Sequence, residues 1–236
     1  MRERRSVADT LRLLALSARM LAGRRYWLAA LAPLVWTAGA VFWVLVGWRE
    51  EDYAPADAQN LLMAIPLTIL AIGLGVRIVA GEIDRRTLEI AYTVPGGAHR
   101  VWLHKLAAAA ILLVLAELPV AAGTYLFCTE YDPGAIYGAL QGALFYLVLA
   151  MSLATLFRSE TAGALVTVGA LLLSFPFQAG DLRLSPFWNP ANLIEADPEQ
   201  LLAWTTQNRI GFALAIGLLV VLALGRAENR ESMLGA

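Results

Sequence analysis

Charged residues are scarce in this chain, and cysteine and histidine, which build many catalytic and metal sites, are nearly missing. Only 16% of its 236 residues are charged, against about 25% in soluble domains. One cysteine, Cys128, excludes an intrachain disulfide and a thiolate cluster. The two histidines, His99 and His104, lie five residues apart, which separates them by about 140° around a helix. We therefore expect no metal site.

Lysine is almost absent as well, and this excludes a phosphate-binding loop. Only one of the 18 basic residues is a lysine, Lys105. A P-loop needs its lysine directly after glycine and before serine or threonine, whereas Lys105 lies between His104 and Leu106. We expect this chain to bind no cofactor. Its net charge of -1 also argues against a nucleic-acid partner.

Long apolar runs take the place of the missing charge. The chain is 59% hydrophobic, with a mean hydropathy of +0.62. Six runs approach the roughly 17–25 residues that cross a bilayer as a helix. We place transmembrane helices at 26–48, 60–80, 105–128, 135–157, 161–179 and 208–225. The sequence predicts an all-α, polytopic membrane protein, a single domain over 1–236 without a separate soluble part.

The distribution of arginine predicts the orientation. Fifteen of the 18 basic residues lie before the first span, between the second and third, after the fourth, or in the tail. The other side carries three arginines and ten acidic residues. By the positive-inside rule, both termini are cytoplasmic and the number of spans is even. We expect a multi-pass protein of the cell inner membrane. A cleaved signal peptide is the alternative, but residues 41–46 stay apolar where a polar flank is expected.

Residues 1–25 predict an amphipathic helix along the cytoplasmic interface. Apolar positions recur three and four residues apart, and arginines recur every seven on another face. These positions are Val7, Leu11, Leu14, Ala18 and Leu21, with Arg5, Arg12 and Arg19. The helix either anchors the chain to the interface or also clasps a partner protein.

The cytoplasmic segment 81–104, here called the coupling segment, is dense in charge up to Glu89 and turns at Pro95, Gly96 and Gly97. We expect a helix that prolongs the second span, then a second helix from Ala98 or His99 into the third span. On the first helix, Glu82 and Glu89 share a face flanked by Arg85 and Arg86. A solvated loop with a charged face is the alternative.

This segment resembles the ABC-2 type transporter permease family. The pattern is acidic-x-acidic-basic-x-Thr-Leu-Glu, a proline six residues later, and basic residues before an apolar span. The matching residues are Glu82, Asp84, Arg85, Thr87, Leu88, Glu89, Pro95, Arg100 and Lys105. The likeness extends to the amphipathic N-terminal helix, Pro33 early in the first span, and the proline- and asparagine-rich segment 180–207. Members usually have glycine where this chain has Arg86.

The resemblance implies a function. In that family the coupling segment docks onto a separate nucleotide-binding ABC ATPase subunit, which binds ATP and Mg²⁺ and drives transport. One chain supplies half of a translocation pathway, so the permease pairs as a homodimer or with a paralogue among membrane lipids. The family implies an exporter of a lipid, drug, glycan or other amphipathic substrate. The extracytoplasmic segment 180–207 would close the outer end of the pathway.

Glu117 is the only ionisable residue deep within a predicted span. It lies about 18 Å beyond Lys105 along a helix, and Pro119 follows two residues later. Buried carboxylates in membranes are expensive and often functional. Three interpretations stay open: a residue that lines the translocation path, a structural contact between helices, or a proton or cation relay.

Gly134, Gly138 and Gly142 repeat every four residues at the start of the fourth predicted span. Small residues at this spacing let helices approach closely. They serve either packing within the monomer or a dimer interface.

Other functions fit the pattern less well. A hydrolase needs a nucleophile and a base, but the chain has no Gly-x-Ser-x-Gly, and both histidines lie on the predicted cytoplasmic side. A secondary transporter or channel, and the substrate-capture membrane subunit of an energy-coupling-factor importer, remain alternatives. The first more often shows internal repeats, and the second does not need the charged coupling segment.

Overall fold

The computed structural model describes residues 2–48, 53–94, 97–178, 184–193, 197–229 and 233, without the side chains of 2–8 and 175–178. Pro95 of the matched pattern lies outside these residues. Throughout them the chain is helical and has no strand, which confirms the predicted all-α class. Five helical stretches are long and apolar enough to cross a membrane: 26–45, 55–75, 98–127, 134–157 and 198–228. The apolar described stretch at 160–174 is shorter, so the sixth span stays a prediction.

Helix α1 (Arg2–Ala22) forms the N-terminal arm, and it ends where Gly23 takes the left-handed φ of +80°. Of the predicted apolar face, Ala18 and Leu21 are buried in the core, Leu14 is half-buried and Leu11 is exposed. Only part of the predicted apolar face is therefore buried. Part of it packs on the bundle, and the rest is open along the helix.

The first predicted span is broken. Helix α2 (Tyr26–Leu31) and helix α3 (Leu34–Leu45) meet at Pro33, because proline removes a backbone donor and its ring clashes with the preceding turn. In α3 only Thr37 and Ala40 are buried. Val35, Phe42, Trp43 and Leu45 are exposed, so much of the apolar surface of α3 is not covered by the rest of the chain.

The second span starts with an irregular helix. Helix α4 (Pro55–Asp57) leads into a π-helix (Ala58–Ala64) and then helix α5 (Ile65–Gly75). At Gly75 an added Cβ would lie 2.3 Å from the carbonyl oxygen of Leu147. The two backbones meet at this point, so only glycine fits. The coupling segment follows as helix α6 (Ala80–Asp84) and helix α7 (Leu88–Thr93).

Three long helices and one shorter helix complete the bundle. Helix α8 (Ala98–Phe127) joins the coupling segment and the third span in one helix, and it begins at Ala98 as expected. Helix α9 (Gly134–Phe157) is central, because α5, α10 and α11 all pack on it. Helix α10 (Glu160–Gln178) and helix α11 (Pro198–Glu228) follow. α11 extends ten residues before the predicted span 208–225, so much of the expected extracytoplasmic segment is part of this helix.

Residues 185–189, here called the wedge, lie inside the bundle at its predicted outer end. All five residues are buried. The ring of Phe187 stacks on Tyr146 with centroids 5.5 Å apart, and an added Cβ at Gly142 would lie 2.8 Å from Phe187. Gly142 is eight residues into α9, so the wedge penetrates about 12 Å along that helix. A short 3₁₀ turn, Pro190–Asn192, follows.

Candidate functional site

The coupling segment turns sharply between α6 and α7. Arg86 adopts a left-handed φ of 57°. The Thr87 N–H donates to the Glu82 carbonyl at 2.8 Å, and the Arg86 N–H donates to the Ile83 carbonyl at 3.0 Å. These two bonds form a Schellman motif, whose left-handed position is usually glycine. Arg86 occupies the position where the sequence pattern expects glycine.

This turn corrects one expectation. The prediction that Glu82 and Glu89 share one face of a single helix is wrong, because α6 ends at Asp84 and α7 begins at Leu88. Glu82 is directed into the protein, whereas Glu89 is exposed. The helix that was expected to prolong the second span is also interrupted, between Gly75 and Ala80.

Glu82 belongs to a buried cluster with two residues of α8. Its Oε1 lies 2.5 Å from Lys105 Nζ, and its Oε2 accepts a hydrogen bond of 2.9 Å from Trp102 Nε1. The side chains of Lys105 and Glu82 are only 5% and 13% exposed. Lys105 also donates to the Ile78 carbonyl at 3.2 Å. Because both charges are paired and hydrogen-bonded, α6 is held firmly against α8.

Two arginines tie the segment to α1. Arg77 Nη1 donates to the Leu21 carbonyl at 2.9 Å, and Arg85 Nη1 reaches the Met20 carbonyl at 3.5 Å. The last carbonyls of a helix lack intrahelical partners and carry partial negative charge. The two guanidinium groups therefore cap the C-terminal end of α1.

Asp84 ties the segment to α10. Its Oδ2 accepts a hydrogen bond of 3.0 Å from the Glu160 N–H at the start of that helix. Arg77 Nε lies 3.7 Å from Glu160 Oε2. A carboxylate at a helix N-terminus satisfies a free donor and opposes the positive end of the helix dipole.

The end of the segment reaches the C-terminal end of α11. The Tyr92 hydroxyl donates to the Ala227 carbonyl at 2.5 Å, and His99 Nδ1 lies 3.0 Å from Glu228 Oε1. Tyr92 also meets Trp102 edge-on, with ring centroids 6.1 Å apart. The coupling segment thus touches α1, α8, α10 and α11 through side chains.

The other matched residues divide between interior and surface. Leu88 is buried under α7, and the Thr87 hydroxyl donates to the Glu82 carbonyl at 3.4 Å. Arg86, Glu89 and Arg100 are exposed. The structure brings the sequence-predicted residues into one region and divides them into two groups. Some bond to other helices and hold the segment in place, and the others are exposed on its surface.

A groove of about 710 Å³ separates α1 from the coupling segment. Its walls are apolar, with Leu16 and Met20 on one side and Ile90 and Val94 on the other. Basic side chains surround it: Arg77, Arg85, Arg100 and His104. Glu82 also borders the groove but is paired with Lys105. The groove is therefore apolar inside and positive at the rim.

Glu117 is buried in the middle of α8 and is 2% exposed. Its Oε1 has no hydrogen-bond partner among the described residues. Tyr131, in the loop after α8, lies close to it: burial raises the pKa of Tyr131, and the Glu117 charge raises it further. The Tyr131 hydroxyl itself donates to the Ala121 carbonyl at 2.8 Å. The structure thus places in the interior of α8 a carboxyl group with one oxygen that no described residue contacts by a hydrogen bond.

The three glycines of α9 meet different neighbours. An added Cβ would lie 2.4 Å from Gln59 at Gly138 and 2.8 Å from Phe187 at Gly142. At Gly134 it would meet only the Asp132 side chain, at 2.7 Å. Gly138 and Gly142 therefore make room for the π-helix and the wedge within this chain.

Sequence reasoning missed the polar residues that hold the wedge. Gln59 Nε2 donates to the Trp188 carbonyl at 2.8 Å, and Asn208 Nδ2 donates to the Ser185 carbonyl at 2.9 Å. Asn189 Nδ2 donates to the Ala56 carbonyl at 2.8 Å. The sequence could have pointed to two of these residues, because the amide side chains of Gln59 and Asn208 lie at the ends of predicted spans, where an unpaired polar group is costly.

No protein-family model matches the chain, and no curated protein matches its sequence.

Proposed function

We propose that this chain is the permease subunit of an ABC-2 type transporter, driven by a separate ATPase subunit that binds ATP and Mg²⁺. It lies in the cell inner membrane with both termini in the cytoplasm. It forms half of a translocation pathway, with a second copy or a paralogue, and exports a lipid, drug, glycan or other amphipathic substrate. The resemblance of the coupling segment supports this assignment.

One observation carries the proposal. The coupling segment contacts four other helices through side chains while it leaves Arg86, Glu89 and Ile90 exposed. A partner that binds the exposed side can shift the segment as a rigid body. Packed contacts of this kind pass a displacement to their neighbours. The arrangement suits a protein whose work is powered from outside the membrane.

The groove supports a specific form of docking. An amphipathic helix can lay its apolar face between Leu16 and Ile90, in the way helices occupy hydrophobic grooves. Acidic residues on that helix would face the basic rim. The ATPase subunit is therefore expected to insert an amphipathic helix with acidic residues toward the basic rim and to place a basic group opposite Glu89, which lies outside the groove.

The left-handed backbone at Arg86 also supports the resemblance. The family pattern has glycine at this position, and glycine is the residue that adopts positive φ without strain. In this chain Arg86 adopts the positive φ at that position. The departure in sequence is thus compatible with the same local structure.

Co-purification tests the proposal. The tagged chain is isolated from detergent-solubilised native membranes as wild type, Arg86→Glu and Glu89→Arg, with Glu130→Arg as control. Glu130 is an exposed acidic residue in the loop that follows the C-terminal end of α8. We expect a P-loop ATPase with the wild type and the control. Both reversals should reduce its recovery about tenfold, since charge reversal at an interface costs about 1–2 kcal/mol.

Recovery of the chain alone, or only with its own copies, and without ATPase activity would overturn the proposal. A secondary transporter or channel would then be the better account, with Glu117 as its first residue to test. Equal loss in all three variants would also count against it, because the effect would not be local to the coupling segment.

A further inference from the structure

Helix α11 spans the distance between the coupling segment and the wedge. Its buried residues are Asn208 near one end and Ala223 and Ala227 near the other. Between them, Leu214 and Leu218 are exposed. α11 rests on α9 along one side, where Phe212 meets Phe145 edge-on at 5.1 Å. Ser152 of α9 also donates to the Leu219 carbonyl at 3.2 Å, so one side of the helix follows α9 while its fully buried residues lie toward the two ends.

At the predicted cytoplasmic end, the coupling segment grips the last turn of α11. The Tyr92 hydroxyl bonds to the Ala227 carbonyl, and His99 pairs with Glu228. Both contacts come from elements that carry the docking surface. A displacement of α7 therefore acts directly on this end of α11.

At the predicted outer end, α11 holds the wedge. Asn208 Nδ2 donates to the Ser185 carbonyl at 2.9 Å, and Trp188 Nε1 donates to Thr205 Oγ1 at 3.1 Å. Asn208 Oδ1 also accepts a hydrogen bond of 2.9 Å from Gln141 of α9. The wedge cannot keep these bonds if α11 moves relative to α9.

The helix between the two ends is suited to carry a displacement. Thr205 and Ala227 are 22 residues apart, about 33 Å along an α-helix. Pro198 at the first turn is the only proline in α11, so no proline kink interrupts this stretch. Its backbone hydrogen bonds keep the length constant, so a shift at one end appears at the other.

We propose that α11 acts as a rigid rod that couples the coupling segment to the wedge. Movement of α7 releases or seats residues 185–189 through Asn208 and Thr205. The source of that movement rests on the proposed function, since the ATPase would supply it. The mechanical link is a property of this chain alone and can be measured without a partner.

Accessibility of the wedge to a thiol reagent tests the link. Cys128→Ser removes the only cysteine, and Ser185→Cys places a thiol in the wedge. The purified chain is treated with a membrane-impermeant maleimide, without any ATPase. In the same background, Asn208→Ala removes the hydrogen bond from α11 to the Ser185 carbonyl. Its labelling rate at position 185 is the rate expected when the wedge is released.

Tyr92→Phe is the decisive variant and removes only the hydroxyl that bonds to Ala227. Thr93→Val is its matched control, because the Thr93 hydroxyl bonds within α7, to the Ile90 carbonyl. We expect Tyr92→Phe to speed labelling about fivefold, the effect of losing one net hydrogen bond, and Thr93→Val to leave it unchanged. His99→Ala, which breaks an exposed pair, should act in the same direction as Tyr92→Phe.

Two results would overturn the proposal that α11 acts as a rigid rod. In the first, Asn208→Ala speeds labelling while Tyr92→Phe and His99→Ala label like Thr93→Val. In the second, Asn208→Ala itself changes nothing, so α11 does not hold the wedge. Either result leaves the proposed function standing if the ATPase still co-purifies. If Tyr92→Phe speeds labelling but no ATPase co-purifies with the wild-type chain from native membranes, the rod is supported and the ABC assignment is contradicted.

Discussion

The Glu82–Lys105 pair is the contact whose loss should be most visible. Lys105→Met keeps an unbranched apolar side chain of similar length but removes the charge. It leaves the Glu82 carboxylate, 13% exposed, with the Trp102 N–H as its only side-chain partner among the residues that the structure describes. Removing one member of a buried ion pair costs about 3–5 kcal/mol. For a chain of this size, that corresponds to a drop in melting temperature of about 10 °C.

Thermal unfolding of the purified chain in detergent, followed by tryptophan fluorescence, measures this change. The double variant Glu82→Gln/Lys105→Met should recover most of the loss, since no unpaired charge remains and the glutamine can still accept from Trp102. Arg100→Met is the matched control: it removes an exposed cation from the same helix and should cost less than about 0.5 kcal/mol. A single Lys105→Met variant as stable as Arg100→Met, or a double variant no better than the single one, would refute the reasoning.

Three further outcomes are expected, all read from melting temperature. Arg86→Gly should stabilise the chain by about 0.5–1 kcal/mol, because Arg86 has positive φ. Arg86→Val should destabilise it. A glycine variant less stable than the valine variant would contradict the Schellman turn. Gly75→Ala should cost about 1–3 kcal/mol, since its Cβ would meet the Leu147 carbonyl. Gly73→Ala has open space and should be neutral or stabilising. Equal effects of the two variants would contradict the close contact between α5 and α9. Glu117→Gln should keep or raise stability, because it removes an ionisable group from an apolar interior; a marked loss would show that the carboxylate itself is required.

Helix boundaries followed from local chemistry where a clear stop or start signal exists. The fourth predicted span, 135–157, differs by one residue from α9, because Pro133 precedes its start and Arg158 closes its end in a left-handed conformation. The start of α11 at Pro198 after Asp197 is a local signal of the same kind, because proline suits the first position of a helix. Such signals act within one turn, so a sequence displays them directly.

Features set by tertiary contacts could not be predicted in this way. The π-helix at 58–64 accompanies Gln59, whose side chain bonds to Trp188, a residue 129 positions away. The burial of the wedge likewise depends on Gly142 and Tyr146 of α9. Neither local propensity nor hydropathy contains information about these distant partners.

The structure brings most residues of the predicted site into one region, but it corrects the arrangement predicted for Glu82 and Glu89. The resemblance implied a docking role for the coupling segment, and helical periodicity alone placed Glu82 beside Glu89 on one surface. The left-handed turn at Arg86 separates them, and Lys105 draws Glu82 inward. A helical period assumes an unbroken helix, and a single residue with positive φ invalidates it.

Photo-crosslinking from the coupling segment tests the central claim most directly. A photoreactive amino acid replaces Ile90, which is exposed on α7, and in a separate control it replaces Leu126, exposed at the other end of α8. Irradiated native membranes should yield a covalent adduct between position 90 and a P-loop ATPase, with none from position 126. Adducts from position 90 that contain only lipid or other copies of this chain would contradict the account.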